Sequence, residues 1–263
     1  MYEFDYVSAT SLDDAAGKLS DADAKLVAGG MTLIPTLKLR LAKPSQLIDL
    51  GAIASLKGIT EEGDAVVIGA MTRHAEVNRS DVVKRAIPAL AAMAGMIGDP
   101  AVRNRGTIGG SIANNDPAAD YPAAVVALNA VVRTNKREIA ADAFFTGLFE
   151  TALGEGEVIT AVRFPKVAQA NYQKFRNPAS RYAIVGVFVA RTPAGVRVAV
   201  TGAGACVFRV TAMEAALARS FAPDAIKDIA IPDTDLNSDI HASAEYRAHL
   251  VNVMARRAVA ACA

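Results

Sequence analysis

Tryptophan is absent from the 263-residue chain, cysteine occurs only twice, and neither sign of charge is in excess. Each lack narrows the possibilities. Lys+Arg 28 against Asp+Glu 27 leaves a net charge of +1, too little for the field that holds a nucleic-acid backbone or an anionic membrane surface. We therefore expect no nucleic-acid partner. Cys206 and Cys262 form no CxxC pair, Cys/His cluster or disulfide framework, which argues for a reducing compartment and against an iron–sulfur or zinc site in this chain. The opening MYEFDYVSATSLDD has neither the basic nor the apolar region of a leader, and no apolar run approaches the ~20 residues that span a bilayer. The expectation is a soluble cytoplasmic protein with no integral membrane segment.

Hydrophobic residues make up 52% of the chain and charged residues 21%, a composition that folds rather than staying disordered. Much of the apolar share is alanine, so a core of closely packed small side chains is expected. The length suits one large domain or two modest ones.

Local patterns divide the chain. Ser11 with Asp14 reads as a capping box opening a short helix through Ala15, Ala16 and Leu19. Lys25 to Ala28 reads as a buried strand running into Gly29-Gly30. Thr32 is a candidate cap for a helix with Leu33, Leu37 and Leu41 on one face, and Leu47, Ile48 and Leu50 form the next strand. Val66 to Ile68 predicts a strand, Thr72 a helix cap, and Ile87 to Ile97 a helix stopped by Gly98-Asp99-Pro100. Val102 to Tyr121 reads as a chemically dense loop, followed by an apolar run from Ala123 to Val132 and a strand over Glu157 to Pro165. Beyond about Pro165 the chain changes character. A hairpin of Ile184–Ala190 and Val196–Val200 precedes two helices, one with a capping box at Thr211 and Glu214, one capped by Ser243 with Tyr246, Leu250, Val253 and Met254 on a face. An N-terminal α/β region over 1–168 and an appended sheet-plus-helix region over 169–263 are expected.

Two segments carry chemistry. In AGGMT, Ala28 to Thr32, paired glycines let the backbone approach a ligand, and the helix start behind them offers N–H donors that suit a phosphate. A tight strand-to-helix turn would explain the same residues. In RNRGTIGGSIANNDPAAD, Arg103 to Asp120, three glycines, Thr107, Ser111, Asn114, Asn115 and Asp120 fall within 18 residues. They supply donors for a pyrophosphate and an acceptor for ribose-like hydroxyls, although Gly/Asn/Asp/Pro clusters also build plain loops.

Taken together, AGGMTLIPTLKLRLAKP, RNRGTIGGSIANNDPAADYPAA, the opening MYEFDYVSATSLDDA and YQKFRNPASRYAIVGV at Tyr172 to Val187 resemble the FAD-binding medium subunits of the molybdenum hydroxylases, best represented by aerobic carbon monoxide dehydrogenase. The resemblance covers nearly the whole chain, and its TIGGS-x-AN-x-x-PAAD block is highly specific. It implies an α+β fold: a two-subdomain FAD-binding domain of the PCMH or vanillyl-alcohol-oxidase type, then a small C-terminal domain of three-stranded antiparallel sheet and helices. By the same resemblance, Ala28, Gly29, Gly30, Met31 and Thr32 wrap the FAD pyrophosphate from one side, and Thr107, Gly109, Gly110 and Ser111 from the other. Asn114 and Asp120 contact ribityl or ribose hydroxyls, Val158 and Ile159 border the adenine or ring region, and Lys174 and Tyr182 lie near the isoalloxazine. Met31 stands where the family often carries a polar side chain.

The implied function is electron transfer within a dimer of heterotrimers. A molybdopterin-binding large subunit oxidises the substrate, a [2Fe–2S] small subunit relays electrons, and FAD on this chain passes them to an external acceptor. Two rivals are an autonomous FAD-dependent oxidoreductase of the same fold and a nucleotide-binding or assembly module without redox activity. Other features have plainer readings. TGAGAC at Thr201 to Cys206 lacks the third glycine of a dinucleotide fingerprint and reads as a turn. His74, His241 and His249 share no ligand spacing and read as surface or capping residues, Arg103 and Arg105 as solvated loop charges, and Cys206 as a buried apolar residue.

Overall fold

A computed structural model describes residues 1–262 of the chain. Its first layer is a three-stranded parallel sheet in which Gln46–Asp49 lies between Asp5–Ser8 and Lys25–Val27. The helix Leu12–Lys18 connects two of these strands; Ser11 caps it by accepting the Asp14 N–H at 3.0 Å, and the Asp14 carboxylate takes the N–H of Thr10. The second layer is a five-stranded antiparallel sheet in the order Ile59–Glu62, Ala65–Gly69, Ile159–Pro165, Val131–Thr134, Glu138–Ala140. Helices His74–Arg79, Asp81–Ala86, Pro88–Gly95 and Tyr121–Ala127 share one core with it, the last buried at all of its positions and packed on its other side against the C-terminal strands. Small side chains permit this closeness: Ala89, Ala91, Ala94, Ala123, Ala124 and Ala127 all belong to the main core.

The C-terminal region is a four-stranded antiparallel sheet, Ala170–Arg176, Ala183–Thr192, Gly195–Thr201 and Phe208–Arg209, backed by helices Thr211–Arg219 and Ala244–Ala261. The short fourth strand adds to the three that the resemblance implied. Strand Ala183–Thr192 is buried on both faces, which explains its unbroken apolar run. Phe188 and Ala190 join the core of the N-terminal region, whereas Val187 and Val189 join the core under the C-terminal helices.

Several local expectations are corrected. Val102 to Tyr121 is a loop only in part: Pro100–Arg103 forms one turn capped by Asp99, and Ile108–Asn114 a second helix capped by Thr107, whose hydroxyl accepts the Gly110 N–H at 3.1 Å, while Asn115 to Asp120 stay outside any helix. Thr32 makes no side-chain cap, and the helix after it stops at Lys38, leaving Leu41 in solvent. Thr72 bonds the backbone of Gly58 instead of capping; the helix starts two residues later. Thr211 makes no capping box, because the Glu214 carboxylate is taken by the Val198 N–H and by Arg209.

Candidate functional site

The two glycine segments meet. A Cβ on Gly29 would lie 2.2 Å from the Arg105 carbonyl oxygen, so only glycine lets the strand-to-helix turn touch the backbone leading into the second segment. On the far side, a Cβ on Gly109 would lie 2.6 Å from Ala70 Cβ and 2.8 Å from its carbonyl oxygen. Gly30 has φ +70, the left-handed region that glycine enters without cost. Between and around these contacts runs a cavity of about 590 Å³, within the ~300–1,000 Å³ range of ligand sites.

The segments differ in what they offer this cavity. Among the described residues, the N–H groups of Gly29, Gly30, Met31, Thr32 and Leu33 donate to no protein acceptor. Those of Ile108, Gly109 and Gly110 are already committed, to Thr72 O, Ala70 O and Thr107 Oγ1. The second segment therefore presents side chains: Ser111 and Asn114 line the cavity, and Asp120 closes one wall.

Asp120 is buried and held from behind by Lys174 Nζ at 2.9 Å and by the Tyr172 hydroxyl. Burial pushes its carboxyl upward, while the Lys174 charge and these hydrogen bonds pull it back. Lys174 also donates to the Met96 carbonyl and, with its side chain 2% exposed, does not line the cavity. It is an anchor behind Asp120 rather than a group facing the ring site. The other candidates, from Ala28 to Tyr182, all line the cavity. Val158 and Ile159 sit where strand Ile159–Pro165 begins, fixed by the bond from Val158 N–H to Asn135 Oδ1. Beside them the Glu157 carboxylate is held down to about 2, chiefly by Arg137, against the cost of burial.

Tyr182 reaches the cavity from the C-terminal region on a loop organised by buried Asn177, whose Oδ1 accepts the N–H groups of Ala179 and Ser180. The TGAG turn has a further job. Thr201 Oγ1 donates to the carbonyls of Pro117 and Ala119, and Gly202 N–H to Pro117, tying the C-terminal sheet to the loop that carries Asp116 and Asp120. Arg103 is spent on the carbonyls of Ile97 and Gly98.

Three readings change here. His74 is buried, not at the surface: it lies against Tyr121 with ring centroids 5.3 Å apart, and burial, with Arg103 nearby, lowers its imidazole to about 4. Its Nδ1 and the Tyr121 hydroxyl have no protein partner, and Gly106 leaves its Nε2 edge open, since a Cβ there would stand 2.6 Å away. Asn115 turns from the cavity; in left-handed backbone, it donates to the carbonyls of Gly147 and Glu150. Cys206 beside it is half-buried. His241 and His249 are exposed as expected.

Residues 2–167 match the family described as the FAD binding domain in molybdopterin dehydrogenase, and residues 170–262 the CO dehydrogenase flavoprotein C-terminal domain. The chain belongs to this flavoprotein family. It is 37% identical to the carbon monoxide dehydrogenase medium chain of Hydrogenophaga pseudoflava, over 97% of this chain and 96% of that one. To the nicotine 6-hydroxylase medium subunit of Paenarthrobacter nicotinovorans it is 38% identical, over 97% and 95%. A solved structure of carbon monoxide dehydrogenase from H. pseudoflava superimposes with a TM-score of 0.91, covering 99% of this chain and 97% of that one at 37% identity. The protein is thus an FAD-binding medium subunit of the molybdenum hydroxylase family, whose relatives are subunits of oxidoreductase complexes. No helix among its described residues is long and apolar enough to cross a membrane.

The residues present fit FAD. Free backbone donors suit a pyrophosphate, a held carboxylate suits ribose-type hydroxyls, and Leu50, Leu153, Val158 and Ile159 offer apolar walls to a flat ring. His74 and the tie at Thr201 were not legible as site features. A lone histidine and a broken glycine fingerprint carry no local mark of what the chain folds against them.

Proposed function

We propose that this chain is the electron-transfer subunit of a molybdenum hydroxylase complex, receiving electrons from a [2Fe–2S] small subunit that serves a molybdopterin-binding large subunit, in a dimer of heterotrimers. The observation that carries the reading is the row of N–H groups from Gly29 to Leu33 that donate to no protein acceptor, on residues that line the same cavity as the TIGGS helix. When bound, FAD supplies the capacity to take electrons from a donor and release them to an external acceptor.

The chain's own residues position that cofactor. Gly29, Gly30, Met31 and Thr32, with Ala28 behind them, receive the pyrophosphate; Thr107, Gly109, Gly110 and Ser111 shape the facing wall. Asn114 and Asp120 bind hydroxyls, with Lys174 holding the Asp120 carboxylate in place and favouring its charged form against the effect of burial. Val158 and Ile159 exclude water from one end, and Tyr182, half-exposed on its loop, screens the other.

Acid precipitation tests the cofactor mode: all yellow colour should enter the supernatant as FAD, and flavin left in the pellet or released as FMN would contradict the assignment. Purification from the native source tests the role. The chain should copurify with an iron-containing and a molybdenum-containing subunit, and the lone FAD-loaded chain should not turn over small organic substrates. Turnover by the lone chain would favour an autonomous oxidoreductase.

A further inference from the structure

The helix Leu33–Lys38 carries its first residue in the cofactor cavity and ends, about 9 Å away along its axis, in a feature the flavin site does not use. Its terminus is a Schellman motif: the Leu41 N–H bonds the Thr36 carbonyl at 3.0 Å and the Arg40 N–H the Leu37 carbonyl at 3.1 Å. The left-handed position that this motif creates is usually glycine. Here it is Arg40, at φ 59. The apolar residue after it ordinarily folds back on the helix, yet Leu41 is 74% exposed and Leu39 is 70% exposed. A bulky residue in strained backbone between two leucines in water disfavours the isolated chain, and such strain is retained where the side chains have work to do.

Charge points the same way. Lys38, Arg40 and Lys43 are exposed, and none has a carboxylate within 4 Å among the described residues. Arg40 and Lys43 flank the half-exposed Tyr2 ring at 5.6 and 5.8 Å from its centroid, which holds both cations in place ahead of any partner. In a chain of net charge +1, three unpaired cations thus surround exposed Leu39, Leu41 and Tyr2.

We propose that Leu39, Arg40 and Leu41, flanked by Lys38, Lys43 and Tyr2, are the docking surface for an acidic face with an apolar centre on the electron-donating subunit. The inference rests on the electron-transfer reading above. Leucines supply the desolvated centre of the contact, and the cations form a rim that selects an acidic partner and speeds encounter. The surface stands one short helix from Met31 and Leu33, so a donor seated on it lies beside the flavin cradle.

The test is the complex purified from its native source, carrying the wild-type chain, Arg40→Gly, Leu39→Ser with Leu41→Ser, or Lys38→Glu with Lys43→Glu. Iron per flavin, FAD content, melting temperature and native mass are measured for each. Arg40→Gly relaxes the backbone, so it should raise the melting temperature of the chain while weakening partner retention. Iron per flavin should fall at least about ten-fold in the charge-reversal and double-serine variants, with FAD content unchanged. Unchanged iron per flavin in all three variants overturns the docking surface, as does loss of self-association with iron retained, which would make the occupant a second copy of this chain. A wild-type flavoprotein that carries no iron subunit overturns the electron-transfer reading itself, and the two failures are thereby told apart.

Discussion

The two glycine segments look alike in sequence and do different work. AGGMT and the leucine after it leave five successive N–H groups from Gly29 to Leu33 without protein acceptors, whereas TIGGS commits its first three helical N–H groups to Thr72, Ala70 and Thr107. In the first segment glycine keeps backbone donors open to the cavity. In the second, Gly109 lets the helix press against Ala70, and Ser111, Asn114 and Asp120 line the cavity instead. A glycine pair therefore reports close approach, and only the hydrogen-bond pattern tells whether a ligand or the protein's own backbone approaches.

The largest effect of this division of work is expected behind the second segment. Lys174→Met leaves Asp120 buried without its cation, and removing one partner of such a pair costs about 3–5 kcal/mol. Unfolding of the apoprotein should show that loss, because the anchor is structural before any flavin binds. Gly109→Ala should follow, destabilising the apoprotein by about 1–3 kcal/mol through overpacking against Ala70. Normal stability in either variant would remove the distinction between a scaffold segment and a donor segment.

Gly110→Ala separates binding from folding. Its Cβ would stand 3.0 Å from Thr107 Oγ1 and 3.6 Å from Ala28 Cβ, in the gap between the segments. The apoprotein should melt close to wild type while FAD affinity drops about ten-fold, or ~1.4 kcal/mol. An early-melting variant that still binds FAD at full strength would mark Gly110 as scaffold like Gly109. The smallest effect at neutral pH concerns His74. Its imidazole titrates near 6.5 when unfolded and at about 4 when buried, so the unfolded chain binds the extra proton between those values. Stability is full above 6.5 and falls as the pH drops toward 4; His74→Phe should flatten that slope in thermal unfolding.

Much of the fold was legible because local signals and packing agree. Ser11 and Ser243 cap their helices, strands Ala183–Thr192 and Gly195–Thr201 pair as the expected hairpin, and the long C-terminal helix buries Leu250 and Met254 as its period requires, with Tyr246 left exposed. The misses come from tertiary partners. Thr72 and Glu214 are drawn from capping by Gly58 and by Val198 with Arg209. Part of the loop expected over Val102 to Tyr121, Ile108–Asn114, is helical because Thr72 and Ala70 supply acceptors that helix start lacks locally. The cavity residues were legible as motifs, whereas the sequence carries no sign that Lys174 stands one layer behind the cavity, bonded to Asp120.

On the proposed function, the first segment would donate its backbone to the pyrophosphate and the second would not. Amide hydrogen exchange at single-residue resolution, with and without FAD, measures this directly. Fast exchange is expected at Gly29, Gly30, Met31 and Thr32 in the apoprotein and strong protection on FAD addition, with Ile108, Gly109 and Gly110 already protected and little changed. Protection gained at Ile108 to Gly110, with none at Gly29 to Thr32, would contradict it.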